Sequence, residues 1–217
     1  MRSQLFYTDA YKGVEERVTE LLNSQPQFLS ASTARSTRAV GDAIQGILSD
    51  NFESIVGEFC AEYSPNFARR AMADLAFTDP DGYYYAVDVN THRTDTTFNM
   101  PNLTSVERLA RFYEDDRNYF VVLMVTYSLA ATRPEVSHSR FVPIEFLMWD
   151  CLTLGALGWG QIQIANSNYI NIRPRYSRRA WMLELCNNVL EFYPREIGKI
   201  RTRIERFKKV KESWLAK

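Results

Sequence analysis

Cysteine is scarce in this chain of 217 residues, and no apolar run is long enough to span a bilayer. The three cysteines, Cys60, Cys151 and Cys186, are odd in number and far apart in the sequence. We therefore expect reduced thiols, and neither disulfides nor a zinc site. The first ten residues are too polar and too acidic for a secretory signal. Together these absences predict a soluble, cytoplasmic protein.

The composition indicates one globular domain. Hydrophobic residues make up 46% of the chain and aromatic residues 13%, which suits a sizeable core. The chain has no internal repeat and no low-complexity linker. Periodicity predicts helices over 11–23, 39–63, 178–192 and 195–215, a further helix after the capping-box pattern at 104–107, and strands over 70–77, 83–90, 119–129, 141–148 and 160–165.

This pattern predicts an α/β or α+β fold, with a central mixed sheet flanked by helices. We divide the single domain over 1–217 into a helical part (1–70), a sheet core (71–167) and a basic helical part (168–217). The net charge of zero hides a contrast between them. Residues 1–167 carry 13 Lys and Arg against 21 Asp and Glu, and residues 168–217 carry 13 against 5. The basic part favours an anionic partner such as nucleic acid, although a solvated helix face is the commoner explanation of a charge run.

Three oxygen-bearing side chains, Asp74, Asp88 and Asn90, stand inside two short strand-like runs. Aspartate is a poor strand former, and a carboxylate among Ala, Val, Phe and Tyr costs free energy unless something compensates it. A bound metal ion is one such compensation. Because strand side chains alternate between faces, Asp88 and Asn90 share a face.

The turn Asp-Pro-Asp-Gly between the two runs determines whether the aspartates meet. Its Asp, Pro and Gly occupy the first, second and fourth positions of a type I turn. If Gly82 adopts the left-handed conformation, a three-residue loop with a bulge pairs Asp79 with Tyr83 and, counting outward, Asp74 with Asp88. A two-residue loop would shift the register by one residue and move Asp74 to the other face.

The spacing of Asp74, Asp88 and Asn90 resembles the metal-binding motif of the PD-(D/E)XK nuclease superfamily, which has an acidic residue on one strand and acidic-x-Lys on the next. The order of the segments is similar to that in type II restriction endonucleases of the HincII and HpaI branch. The resemblance covers roughly residues 70–192, and the segments that carry it are Asp88–His92, Pro101–Ser105, Asn118–Tyr127, Gly160–Ile164 and Tyr176–Trp181.

This resemblance implies a restriction-endonuclease-like fold, Mg²⁺ as the cofactor and double-stranded DNA with a short palindromic site as the substrate. It also implies a homodimer, because a two-fold protein matches a two-fold sequence. It assigns Asp74, Asp88 and Asn90 to catalysis, and Asp74, Asp88 and the Val89 carbonyl to the metal. The alternatives are a DNA-binding protein on a nuclease fold that has lost catalysis, and a structure-specific repair nuclease.

Asn90 departs from the family pattern, which has lysine at this position. No lysine occurs anywhere between Lys12 and Lys199. An ammonium group stabilises the attacking hydroxide and the charge of the transition state, whereas an amide only orients water through hydrogen bonds. More of the catalysis would then fall on the metal.

Other side chains are candidates for the site or for DNA. Asp42 could reach the acidic cluster from the long helix, although a surface position is commoner, and His92 is either a proton relay or a plain loop histidine. Arg93 could contact the scissile phosphate, and amides around 160–165 could read adenine edges. The residues predicted to bind DNA are Arg93, Asn99, Asn102, Gln161, Gln163, Asn166, Asn168, Arg173, Arg175 and Arg178.

Overall fold

The computed structural model describes residues 2–25, 29–63, 73–96, 101–165 and 169–217. Its strands are β1 (Glu62–Tyr63), β2 (Leu75–Thr78), β3 (Tyr84–Arg93), β4 (Asn102–Ser105), β5 (Asn118–Ala130), β6 (Arg133–Pro143), β7 (Leu152–Gly155) and β8 (Gln161–Ile164). Five of them form a mixed sheet in the order β1-β2-β3-β5-β6, in which β3 and β5 are parallel and the other neighbours are antiparallel. A second, antiparallel sheet has the order β4-β8-β7.

The helices pack around these sheets. They are α1 (Gln4–Tyr7), α2 (Ala10–Ser24), α3 (Thr37–Val56), α4 (Val106–Phe112) and α5 (Arg178–Leu215), with single 3₁₀ turns at Thr33–Arg35, Gly57–Phe59, Ile144–Phe146 and Trp149–Cys151. Helix α2 lies on β6 and α3 lies on β3. The predicted mixed α+β domain, a central mixed sheet with helices, is thereby confirmed. Within the described ranges, no helix combines the length and the hydropathy needed to cross a bilayer.

Strand β5 forms the middle of the core. Phe120, Val121, Leu123 and Val125 are fully buried, as the near-continuous apolar run predicts for a central strand. A parallel neighbour cannot follow directly through a hairpin, so the chain crosses from β3 to β5 by way of β4 and α4. This crossover leaves the last residues of β3 beside those of β5.

The long helix α3 begins and ends at identifiable signals. Ser36 is its N-cap and accepts a hydrogen bond from the Ala39 N–H at 3.3 Å. The helix ends at Val56 because Gly57 has a φ of 65°, a left-handed conformation that glycine adopts at little cost. The predicted extension of this helix to residue 63 is therefore wrong.

The structure also differs from prediction at other strands and helices. The strand predicted over 141–148 is the end of β6, which stops at Pro143 before a 3₁₀ turn, and β4 and β7 were not predicted. The helix predicted after the capping box begins at Val106, but Ser105 is its N-cap and makes no side-chain cap bond. The two predicted C-terminal helices are one helix of 38 residues that contains Pro194. A proline inside an exposed helix removes one hydrogen bond and kinks the helix without having to end it.

Candidate metal centre

The hairpin between β2 and β3 has the turn that its sequence predicts. Gly82 has a φ of 77°, its N–H donates to the Asp79 carbonyl at 3.0 Å, and the Asp79 N–H donates to the Tyr83 carbonyl at 3.0 Å. The pairing of β2 with β3 keeps this register along its whole length. Asp74 directly precedes β2 and lies outside the ladder, because its N–H donates to the carbonyl of Val87, the partner of Leu75, at 3.0 Å. This is the pattern of a β-bulge, and it leaves Asp74 beside Asp88 without a regular pairing between them. The predicted register is confirmed from the turn to the pair Leu75 and Val87, whereas the predicted pairing of Asp74 with Asp88 is replaced by the bulge at Asp74.

The two carboxylates are held by specific donors. The Val89 N–H donates to Asp74 Oδ2 at 2.8 Å, and the side chain of Gln45, from α3, also hydrogen-bonds to Asp74. Asn90 Nδ2 donates to Asp88 Oδ2 at 2.6 Å. Asn90 therefore orients the carboxylate of Asp88, its neighbour on the same face of β3.

Burial and mutual repulsion disfavour the charged form of this pair. Burial raises the pKa of Asp88 well above its ordinary value, the negative charge of Asp74 raises it further, and the hydrogen bond from Asn90 opposes both. Burial also raises the pKa of Asp74, against the hydrogen bonds from Val89 and Gln45. The ionised forms of these two neighbouring carboxylates repel each other, and a bound cation would offset this repulsion.

Two adjoining depressions lie between α3 and the sheet. One, of about 380 Å³, is lined by Asn90, and the other, of about 360 Å³, by Asp74. Asp42 and Gln45 of α3 line both depressions and so form the wall that they share. Asp88 lines neither depression. Access to the pair is therefore by way of Asp74 and Asn90.

Gly41 allows α3 to approach the sheet closely. A β-carbon at this position would lie 2.9 Å from Thr91 Oγ1, closer than real β-carbons come to other heavy atoms. Glycine at 41 therefore sets the width of the space between α3 and β3. It also brings the next residue, Asp42, to the edge of both depressions.

The donor set suits a hard divalent cation that keeps part of its water shell. In the part of the chain that the structure describes, no three His, Cys, Asp or Glu side chains are grouped so that they alone could hold a metal ion. Asp74, Asp88 and the Val89 carbonyl offer two carboxylates and a carbonyl. Mg²⁺ is commonly bound by one or two carboxylates together with water and substrate phosphate, so these residues fit it.

Three further candidates have distinct positions. Asp42 is exposed on α3 at the edge of the site. His92 is 5% exposed within β3, opposite Thr126, so its predicted loop position is wrong. Arg93 lines the larger depression, but its Nε lies 2.6 Å from Asp95 Oδ1 in an ion pair. This pair already neutralises much of the charge that Arg93 could offer to a phosphate.

The amide side chains predicted to contact DNA lie on the small sheet. Gln161 and Gln163 alternate with the fully buried Ile162 and Ile164, so they share the outer face of β8. Gln163 lies opposite Asn102 of β4, and its Nε2 donates to Asn102 Oδ1. A row of amide groups therefore crosses two strands on one surface.

This row begins beside the larger depression. Pro101 lines that depression, and the next residue, Asn102, starts β4. On the other side of the row Gln163 packs over Gly155 of β7, where a β-carbon would come within 2.6 Å of Gln163 Oε1. The absence of a side chain at 155 thus makes room for the Gln163 amide.

Arg178 has its charge satisfied inside the protein. Its Nε donates to Glu145 Oε1 at 3.0 Å, and Glu145 is fully buried. The guanidinium lies over the rings of Tyr113 and Tyr119, 4.3 and 4.2 Å from their centres. An arginine committed to a buried carboxylate and two aromatic rings is not free to bind a phosphate, so the predicted DNA contact of Arg178 is corrected to a structural role.

Arg173 and Arg175 are exposed, and neither lines the depressions beside the acidic pair. Arg173 stacks on Tyr176, and Arg175 lies 3.8 Å from Asp9 at the start of α2. Their contact with DNA stays a prediction.

Asn99, Asn166 and Asn168 lie outside the described residues. Their predicted contact with DNA therefore stays a prediction.

Sequence reasoning missed two residues of the site, both on α3. Gln45 hydrogen-bonds to Asp74, and the exposed Arg38 lines the larger depression. With Gly41 and Asp42 they form one polar stripe at helical spacing. The spacing of this stripe could have shown that these side chains share one face of the helix. It does not indicate which strand that face packs against.

Comparison with known proteins adds no family. A search against protein-family models found no match, and a search of curated proteins found no similar sequence. The geometry of the site is therefore the basis for the function proposed below.

Proposed function

We propose that this protein is a Mg²⁺-dependent endonuclease that cleaves double-stranded DNA at a short palindromic site, acting as a homodimer in the cytoplasm. The observation that carries the proposal is the proximity of Asp74, just before β2, to Asp88 on the adjacent strand β3, beside an open depression. The N–H of Val89, the residue after Asp88, donates to Asp74 Oδ2 at 2.8 Å, and the charge of Asp74 raises the pKa of Asp88. This arrangement agrees with the nuclease motif that the sequence resembles. The amide row on β4 and β8 adds a surface with paired donors and acceptors, which suits the edges of bases.

Each residue of the site has a defined part in this proposal. A divalent cation, when bound, lowers the pKa of a water ligand and screens the charge that develops on phosphate. Asp74 and Asp88 hold the cation, and Gln45 and the Val89 N–H fix the carboxylate of Asp74. Asn90 holds the carboxylate of Asp88 through its amide nitrogen.

The positive charge for a phosphate comes from α3 in this proposal. The exposed Arg38 lines the larger depression, and within the described residues no ion pair engages it. Arg93 lines the same depression but is paired with Asp95. Arg38 is therefore the better candidate for the contact that the sequence assigns to Arg93.

One observation favours a second candidate, a DNA-binding protein on a nuclease fold without catalysis. The amide of Asn90 is engaged with Asp88, and no arginine in the described part of the chain forms an ion pair with either carboxylate. The chain also lacks any lysine between Lys12 and Lys199. Without a cationic side chain the site has less to stabilise the transition state than its apparent relatives have.

Cleavage of DNA tests the proposal directly. The protein is incubated with plasmid or phage DNA with and without Mg²⁺, and the products are separated on a gel. We expect discrete fragments that appear only with Mg²⁺. Intact DNA with a gel shift would instead support the DNA-binding protein without catalysis. A preference for branched or nicked DNA would support a repair nuclease.

Variants locate the activity in the site. Asp74→Ala and Asp88→Ala should each abolish cleavage and leave DNA binding without metal largely intact, whereas Asp81→Asn, in the exposed turn of the same hairpin, should cut like the wild type. Full cleavage by either alanine variant would refute the assignment of the site. Asn90→Lys restores the family pattern and should change the cleavage rate, and an unchanged rate would remove Asn90 from the functional set.

A further inference from the structure

The exposed apolar side chains of this protein are concentrated on one helix. Within the described residues, nine of the twelve exposed large hydrophobic side chains belong to α5, and they are Leu183, Leu190, Ile197, Ile200, Ile204, Phe207, Val210, Trp214 and Leu215. Every residue from 197 to 217 is exposed. Apolar surface of this extent on a monomer is characteristic of an interaction site.

The spacing of these side chains is that of a coiled coil. Steps of three and four residues alternate along α5 from 183 to 214, and nine of the ten positions carry an apolar residue, Tyr or Cys. We call this row the heptad seam, and its members are Leu183, Cys186, Leu190, Tyr193, Ile197, Ile200, Ile204, Phe207, Lys211 and Trp214. An apolar stripe this narrow can be covered by one partner helix, whereas a broad partner surface would also cover the polar residues beside it.

The heptad seam lies on the side of α5 that faces away from the rest of the protein. Trp181 is fully buried, and its Nε1 donates to the Leu147 carbonyl at 2.8 Å, while Leu185 is 2% exposed. In the same turns of the helix Leu183 is 58% exposed and Leu190 is 70% exposed. The seam is therefore open along most of its length, including turns that pack against the body of the protein. Its exception is Tyr193, which is partly buried and donates to the Trp159 carbonyl at 2.7 Å.

We infer that the heptad seam joins two copies of this chain as an antiparallel coiled coil. In the full-length antiparallel register Ile197 faces Ile200 of the partner, Tyr193 faces Ile204, and Cys186 faces Lys211. Every position of the seam in one copy then meets a position of the same seam in the other. This inference rests on the homodimer in the proposed function and names the surface that forms it.

Charge favours the antiparallel arrangement over the parallel one. Glu196 beside the seam has an attractive neighbour in either arrangement, Arg203 of the partner in the antiparallel one and Arg201 of the partner in the parallel one, so the repulsive contacts decide between them. A parallel pair would place Arg203 next to Lys208, and the two copies of Lys211 against each other in the seam. Like charges in contact oppose that arrangement.

The area is sufficient for a stable dimer. Seven seam side chains are large, apolar and about half or more exposed, and at about 100 Å² each they would bury roughly 700 Å² per chain. A standard stable interface buries about 800 Å² per partner. Val210, which flanks the seam and is 39% exposed, adds to this area.

The mass of the full-length protein tests the interface. Sedimentation in a concentration series, without DNA or Mg²⁺, should show a dimer for the wild type. Ile204→Asp places a charge in the seam and should weaken dimerisation at least about 100-fold. Thr202→Asp adds the same charge on the outer side of the helix and should remain dimeric. Circular dichroism confirms that both variants are folded.

A monomeric wild type, or a dimer that persists in Ile204→Asp, would overturn the inference. A wild-type monomer that floats with phosphatidylserine vesicles and loses this property in Ile204→Asp would overturn it in favour of a membrane surface. The nuclease proposal is tested separately, because Asp88→Asn should dimerise like the wild type even when it cuts no DNA.

Disulfide trapping tests the direction of the helices. Lys211→Cys should form an intermolecular disulfide with Cys186 of the partner under oxidised glutathione. The double variant Cys186→Ser, Lys211→Cys and the wild type should both stay uncrosslinked, because like positions lie far apart in an antiparallel pair. Crosslinking of the wild type through Cys186, or of the double variant, would mean a parallel pair and would overturn the proposed register.

Discussion

Replacing Asp88 with asparagine should make the metal-free protein more stable. The change keeps the shape of the side chain and its ability to accept the hydrogen bond from Asn90. It removes the negative charge that faces Asp74. The wild-type carboxylate, proposed for catalysis, then lowers the free energy of unfolding of the metal-free protein, as functional residues often do.

The magnitude follows from the geometry of the hairpin. Neighbouring side chains across an antiparallel pair lie about 5 to 8 Å apart, and two unit charges at such distances repel by about 2–3 kcal/mol at an effective dielectric constant of 20. Asp74 and Asp88 are partly exposed, and solvent screening reduces this figure. We expect Asp88→Asn to add about 1–3 kcal/mol to the free energy of unfolding at pH 8, which raises Tm by roughly 3–10 °C.

The effect has a pH dependence with a definite sign. Burial and the charge of Asp74 raise the folded-state pKa of Asp88, so its ionisation opposes folding. This penalty is absent below the pKa of an unfolded aspartate, about 3.9, grows as the pH rises, and is complete above the folded-state pKa. The stability gain of Asp88→Asn should therefore be large at pH 8 and vanish near pH 4.

Thermal unfolding followed by circular dichroism measures this, with and without Mg²⁺. At a metal concentration ten times its Kd, Mg²⁺ should stabilise the wild type by about 1.4 kcal/mol, but not Asp88→Asn. Asp81→Asn, in the exposed turn, should match the wild type within about 0.5 kcal/mol throughout. A Tm at pH 8 that is unchanged or lower in Asp88→Asn would refute the argument from charge repulsion.

Three further substitutions test the surrounding structure. Glu145→Gln leaves the charge of Arg178 unpaired in the core and should cost about 3 kcal/mol in urea unfolding, and a loss under about 1 kcal/mol would contradict the buried pair. Gly155→Ala places a methyl group against the end of the Gln163 side chain, so stability should fall by only about 1 kcal/mol while specific DNA binding in a gel-shift assay weakens. Ser36→Ala removes the N-cap of α3 and should cost about 1 kcal/mol by the same urea assay, whereas no change would mean that the 3.3 Å hydrogen bond contributes nothing.

The acidic pair could be predicted because its geometry is local. The turn residues Asp79 and Gly82 set the loop length, the loop length sets the register, and the register brings Asp74, at the end of the ladder, close to Asp88. All of this information lies within one hairpin. The central strand β5 was predictable for a similar reason, since a long apolar run has few other stable environments.

The contribution of α3 could not be predicted in the same way. Gln45 precedes Asp74 by about thirty residues, and its hydrogen bond depends on how α3 rotates and packs on the sheet. Arg178 shows a related limit. Its charge looks the same in sequence as that of Arg179, but a tertiary contact with Glu145 takes it out of the basic surface. Likewise, the sequence around Pro194 indicates a helix end, whereas the structure continues the helix through it.

Asn90 connects the stability of the site with its chemistry. A lysine at this position would place a positive charge beside Asp88 and offset the repulsion between the carboxylates permanently. Asparagine donates a hydrogen bond to Asp88 but leaves the negative charge of the pair uncompensated. The site then has a greater electrostatic need for a divalent cation than one with lysine, and it gives less stabilisation to a transition state when the cation is absent. For the proposed nuclease, Asn90 therefore predicts a strong dependence on Mg²⁺, and the response of Tm to Mg²⁺ in the wild type and in Asp88→Asn measures the dependence of the site on the cation without any DNA.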